Sequence, residues 1–221
     1  MSPQSKNSLT DDIEYPMEER YVDPDYRPYH DEWDRYLLET EPMFDVIRER
    51  HVLEIGTAGG NFWPMMKRHY PASITGVDPD YRWEKLSATF FEEKDMIRGD
   101  IFNVLPTTKY DVIVCYGVIY KLHNTIELFE RMATSQPDYI LLEDLDDDRQ
   151  DIGIYPIEYG KVGDWVPKFK CTAGRALRMP MDLITDIFDE LGYDLERQRR
   201  AKYPLAPDKY SVCQFNFKRR E

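Results

Sequence analysis

The residues with the most chemistry to offer are acids standing at the ends of apolar runs. Glu54 lies within His51-Val-Leu-Glu-Ile-Gly-Thr-Ala-Gly-Gly60-Asn-Phe-Trp63, where an apolar run passes into a glycine-rich turn. A carboxylate in such a run needs partners that offset its desolvation. Asp78 closes the strand-like run that begins at Ser73, and a carboxylate there can accept from two ribose hydroxyls. Asp100 follows Met96-Ile-Arg-Gly, with two readings open: an acceptor for an adenine amino group, or a surface pair with Arg98. The run Asp111-Val-Ile-Val-Cys-Tyr-Gly117 opens into Val118-Ile-Tyr-Lys-Leu-His-Asn124, so Tyr116, Tyr120 and His123 gather at a fourth strand end. His123 is a candidate base for an alcohol or phenol; a histidine at a helix start is more often a structural or surface residue. Tyr116 and Tyr120 suit the lining of a reaction site and an aromatic core equally well.

These residues need a scaffold that brings strand ends together. Val52, Leu53 and Ile55 supply a short buried strand, and Phe62, Met66 and Tyr70 fall at helical spacing beyond the glycines. Glu54, Gly56 and Gly60 stand in the spacing ExGxxxG. A dinucleotide fingerprint starting at Gly56 would need glycines at positions 58 and 61, which are Ala58 and Asn61. S-adenosylmethionine (SAM) therefore fits the pattern better than NAD. Ligands of open α/β sheets bind outside the carboxyl ends of the strands, so all four segments are expected to face one crevice.

With these motifs in this order, the chain resembles the class I SAM-dependent methyltransferases over roughly residues 45 to 218. The resemblance implies that Glu54, Gly56, Thr57, Gly59 and Gly60 hold the methionine portion of the cofactor. It assigns the ribose to Asp78 and the adenine to Asp100 with the Ile101 backbone, and places Tyr116 beside the cofactor. The middle glycine of the usual turn is Ala58 here, which narrows it. The segment from Tyr110 to Met132 looks especially like small-molecule and wobble-uridine methyltransferases that carry a GVLYH-type sequence, Tyr120 matching its tyrosine. The implied fold is α/β and Rossmann-like: a seven-stranded, mainly parallel sheet with helices on both faces and an antiparallel last strand.

The 221 residues are 42% hydrophobic, enough for one substantial core. We expect a strap and helix over 1–44, then a catalytic domain over 45–221 with a substrate-side insertion at about 146–178. The strap is rich in tyrosine (Tyr15, Tyr21, Tyr26, Tyr29), and lid and packing roles stand equal for it. A helix from about Asp31 is expected to carry Trp33, Tyr36 and Leu37, and Pro42 to start a second with Met43 and Ile47. Asn124 and Glu127 suggest a capping box before the apolar face of Leu128, Phe129 and Met132. Strand five is expected over Tyr139 to Leu142, ending at Glu143 and Asp144. The helix bearing Ile184, Ile187, Phe188 and Leu191 should close at Gly192, before two last strands at Tyr193 to Arg200 and Ser211 to Lys218.

A net charge of −13 disfavours a surface that neutralises many phosphates. Nucleic acid is accordingly not the expected partner, and Arg197, Arg199, Arg200 and Lys202 read as a solvated edge. Cys115, Cys171 and Cys213 read as reduced core residues. No run approaches the roughly 20 apolar residues of a membrane span, and the start carries no secretory segment, so a cytoplasmic location is expected, with a homodimer left open. Strand four ends in Cys-Tyr-Gly instead of a metal-binding acid, and Glu143 with Asp144 makes a poor magnesium set; no metal is expected. The expectation is methyl transfer from SAM to a small-molecule acceptor, at oxygen, with carbon as the second choice. The rivals are methyl or carboxymethyl-type transfer to a tRNA wobble uridine and a non-catalytic SAM-binding partner subunit.

Overall fold

The computed structural model describes residues 30–57, 60, 62–79, 95–105, 109–122, 124–146, 153–156, 175–203 and 211–221. The strap over 11–29, Cys171 and most of the expected insertion lie outside these residues. Helix α1 (His30–Thr40) leads into a 3-10 helix (Glu41–Ile47) and then β1 (His51–Ile55) and α2 (Trp63–Arg68). Next come β2 (Ser73–Asp78), β3 (Met96–Arg98), α3 (Ile101–Val104) and β4 (Val112–Cys115). A 3-10 turn (Ile119–Lys121) precedes α4 (Thr125–Thr134), β5 (Tyr139–Asp146), β6 (Gly153–Pro156) and β7 (Arg175–Arg178). Helix α5 (Met181–Glu190), β8 (Tyr193–Lys202) and β9 (Ser211–Arg219) complete the chain.

Seven strands form one sheet in the order β3-β2-β1-β4-β5-β9-β8. β1 through β5 pair in parallel, and β9 runs antiparallel to both β5 and β8. The alternation of side chains along a strand divides the core between the two faces. Val52, Val112, Val114 and Leu141 join Tyr36, Phe44, Trp63 and Met66 on one side. Leu53, Ile113, Cys115, Ile140 and Leu142 join Leu128, Phe129, Ile184 and Phe188 on the other. The order reverses between β1 and β4, and such a switch point opens a crevice at the carboxyl ends. β6 and β7 form a separate antiparallel pair within the stretch expected as an insertion.

Four local expectations need correction. α2 ends at Arg68, and Tyr70 lies beyond it at φ 53°, 56% exposed, because the chain must turn sharply to enter β2. The segment after Pro42 is a 3-10 helix, too short and tight for an α-helix before β1. β5 continues to Asp146, so Glu143 and Asp144 are strand residues, paired with Gln214 and Cys213 of β9. The capping box does not close: Asn124 directs its amide at the Glu127 carboxylate (3.3 Å), and no side chain caps the backbone of α4. Glu127 is instead claimed by Arg131 at 2.8 Å, one turn later.

Candidate active site

The crevice is built from the turn that follows β1. Gly56 takes φ +69°, which suits a residue without a Cβ, and an added Cβ would overlap the Val118 Cγ2. Its N–H donates to the Val77 carbonyl at 2.8 Å, and Thr57 donates to the same oxygen at 3.4 Å. The turn closes as Gly60 (φ 72°) donates to the Thr57 carbonyl at 2.7 Å, and Trp63 donates to Gly60 at 3.0 Å. Beneath it, a Cβ at Gly76 would come within 2.8 Å of both Thr57 Cγ2 and Met96 Sδ. β2 therefore packs closely against the turn and brings Asp78 beside it.

Glu54 is 2% exposed. Its Oε2 accepts from the Thr57 hydroxyl and the Trp63 indole N–H, both neutral donors. Burial pushes its carboxyl up to about 7, the two hydrogen bonds hold it down in part, and the charge of Asp78 adds a smaller upward push. A nearby cation would favour the charged form. A ligand carrying an ammonium and a sulfonium suits this acid, and the residues present fit SAM. Asp78, 7% exposed, stands at the tip of β2. Asp100 is exposed and caps α3, accepting from the Phe102 N–H at 3.0 Å, while Ile101 is buried beneath it.

Tyr116 and Tyr120 are both buried at the β4 opening. Tyr116 lies edge-on to Phe62 (centroids 5.4 Å) and tilted against Phe44 (5.7 Å). Its hydroxyl has no hydrogen-bond partner among the described residues. Burial, followed by the Glu143 charge, holds its pKa well above the usual phenol range, with Arg199 offsetting part of this. Tyr116 is accordingly held as a neutral phenol. The Tyr120 hydroxyl lies over Gly117, 3.7 Å from where a Cβ would stand. His123, Ala58, Gly59 and Asn61 lie outside the described residues.

A buried polar cluster beside this opening escaped the sequence reading. Glu143 accepts from the Tyr36 hydroxyl and from the Gln214 amide, the latter at 2.8 Å. Gln214 also reaches Thr40 Oγ1 at 3.0 Å and Tyr36 Oη at 3.2 Å. Glu143 appeared only as a weak metal ligand in the sequence because its partners are remote along the chain. Among the described residues, no group of three or more His, Cys, Asp or Glu gathers as a metal site would require, and no helix is long and apolar enough to cross a membrane.

The glycine turn, the buried acid near the end of β1 and the acid at the tip of β2 define a nucleoside-binding α/β protein. The chain matches the family model of a methyltransferase domain over residues 26–198 and belongs to that family, the class I SAM-dependent methyltransferases. No curated protein matches it significantly. Among solved structures it is similar to magnesium protoporphyrin IX methyltransferase from Synechocystis PCC 6803 with bound S-adenosylhomocysteine (SAH). That likeness has 14% identity and a TM-score of 0.60, over 90% of this chain and 89% of the other. A SAM-dependent methyltransferase from Mesorhizobium loti is similar at 12% identity and a TM-score of 0.58, over 80% of this chain and 96% of that one. At such identities the likeness speaks for the fold.

Proposed function

We propose that the enzyme transfers the methyl group of SAM to a small-molecule acceptor at oxygen. The observation that carries the cofactor's placement is Glu54, a buried acid whose two partners are neutral. The cofactor's positive charge would complete its environment. In this reading Glu54, Gly56, Thr57, Gly59 and Gly60 hold the methionine end, Asp78 the ribose, and Asp100 with the Ile101 backbone the adenine. Tyr116 lies between cofactor and acceptor, Tyr120 lines the same opening, and His123 is the candidate base.

When bound, the cofactor supplies an electrophilic methyl group on sulfur. The work left to the protein is to orient the acceptor oxygen and keep water away, and positioning of this kind contributes much of the acceleration. The aromatic wall of Phe44, Phe62 and Tyr116 serves both ends. The net charge of −13 favours a small acceptor over a polyanion. The basic residues of β8 are largely engaged: Arg197 with Asp45, Arg199 with Glu39 and Arg200 with Asp146.

Calorimetric titration with SAH tests the reading. Wild-type protein should bind SAH, and Asp78→Ala should weaken affinity by about tenfold or more, since two charge-assisted hydrogen bonds are lost. Unchanged affinity in a folded Asp78→Ala variant would remove the acid from the site.

A further inference from the structure

The parallel register of β4 and β5 runs Val114 opposite Leu141 and Cys115 opposite Leu142. One step further along both strands lie Tyr116 and Glu143. Strand alternation puts both on the face that carries Tyr36, Phe44 and Trp63, and the charge of Glu143 adds to burial in raising the Tyr116 pKa. Glu143 itself is held from three elements: its own strand β5, Tyr36 of α1 and Gln214 of β9. Arg199 borders this cluster, hydrogen-bonding Gln214 Oε1 at 3.4 Å while paired with Glu39 at 2.5 Å. A buried hydroxyl without a partner is costly unless something supplies one, and the Tyr116 hydroxyl is such a group, in a residue only 4% exposed.

Resting on the methyltransferase reading, we propose that the Tyr116 hydroxyl, backed by Glu143, receives the acceptor's reacting group and selects a neutral hydroxyl-bearing acceptor against a carboxylate. The carboxylate behind Tyr116 turns the O–H dipole inward and leaves the lone pairs of Oη facing outward. Those lone pairs accept from an alcohol or phenol O–H, which aims the donating oxygen into the opening. An anionic carboxylate has no proton to donate there and meets the field of Glu143 head-on. Glu143 is a positioning residue in this scheme, acting through Tyr116, and Tyr36 with Gln214 hold its orientation. The reading extends to the N-terminal helix, because α1 carries Tyr36 and Thr40 into the cluster.

The test uses the full chain saturated with SAH and two probes of similar size, phenol and benzoate, titrated by ligand-observed NMR. Phenol should bind about tenfold more tightly than benzoate. Tyr116→Phe removes only the partnerless oxygen and should weaken phenol by about fivefold while leaving benzoate within about twofold of its wild-type affinity. Glu143→Gln should narrow the preference by relieving the repulsion of benzoate, both variants being titrated at saturating SAH. Tyr116→Phe keeps the test decisive if Glu143→Gln fails to fold. Benzoate binding as tightly as phenol, neither probe binding at millimolar concentration, or phenol binding undiminished by Tyr116→Phe would overturn the assignment. Failure of wild-type protein to bind SAH would instead defeat the methyltransferase site on which it rests.

Discussion

Glu54 concentrates the physical logic of the crevice. Its carboxyl is raised from 4.5 to about 7 with burial as the main cause, so the folded chain binds a proton that the unfolded chain has already released. Stability from this group is fully present below about pH 4.5 and is lost as pH rises through about 7. Between these limits denaturant unfolding of cofactor-free protein should show stability falling with pH, by a contribution of about 3 kcal/mol at most. Glu54→Gln, which keeps the acceptor oxygen for Trp63, should flatten that slope. Binding of the cationic cofactor favours the carboxylate, so SAM association near pH 6 should release a proton, read from calorimetry in buffers of different ionisation enthalpy. Gly56 makes a second prediction at this scale. Alanine there must hold φ +69° and push against Val118, costing about 1 to 3 kcal/mol in chemical denaturation. Combining it with Val118→Ala should recover the steric part and leave the backbone strain.

Much of the glycine turn was legible residue by residue, and the reason is local. ExGxxxG encodes a turn whose glycines are needed by backbone angle and by the close approach of Val118, and both causes act within a short span of chain. Trp63 was visible as part of the same stretch, yet its indole donation to Glu54 depends on how α2 rotates over the turn. Glu143 could not be read in the same way. Its partners Tyr36 and Gln214 lie 107 and 71 residues away along the chain, and only the sheet order brings them together.

Among the elements, α3 and α1 bear most directly on the site. α3 is a single short turn, and a helix that short depends on its cap. Asp100 supplies it through the Phe102 N–H, so Asp100→Ala should cost about 1 kcal/mol of stability in denaturant titration. If Asp100 also meets the adenine, the same variant lowers SAH affinity, while Asp100→Ser separates the roles by restoring the cap without the charge. α1 is tied down through Tyr36, Thr40 and Glu39, and Asn216 holds the following 3-10 helix by donating to the Met43 carbonyl at 2.9 Å. Tyr36→Phe leaves Glu143 short of a buried donor and should destabilise the fold by about 1 to 3 kcal/mol. The misjudged elements share a physical origin. Tyr70 continued the apolar spacing of α2 but sits where the chain reverses, and Asn124 met a carboxylate already engaged by Arg131.

At the scale of the molecule, the sheet divides labour between its two faces. The face covered by α1 and α2 carries the polar cluster and the aromatic wall, whereas the opposite face is a dense apolar core. There Phe188 stacks on Phe217 at 4.3 Å and packs against Phe129 at 4.9 Å. Phe188→Ala should cost about 3 to 5 kcal/mol of stability while the folded fraction keeps its SAH affinity, which thermal melts paired with titration would read. The seven strands and the antiparallel β9 were foreseeable from strand spacing and from the resemblance. The β6–β7 pair was not, because its two strands carry no alternation strong enough to separate them from a loop.

In the proposed site the carboxyl ends of β1, β2, β3 and β4 surround one cofactor. A crystal structure of the chain grown with SAH tests this arrangement most directly. The account predicts the amino group against Glu54, the ribose hydroxyls on Asp78 and the sulfur facing Tyr116. SAH lodged elsewhere, with Glu54 still bonded only to Thr57 and Trp63, would contradict it.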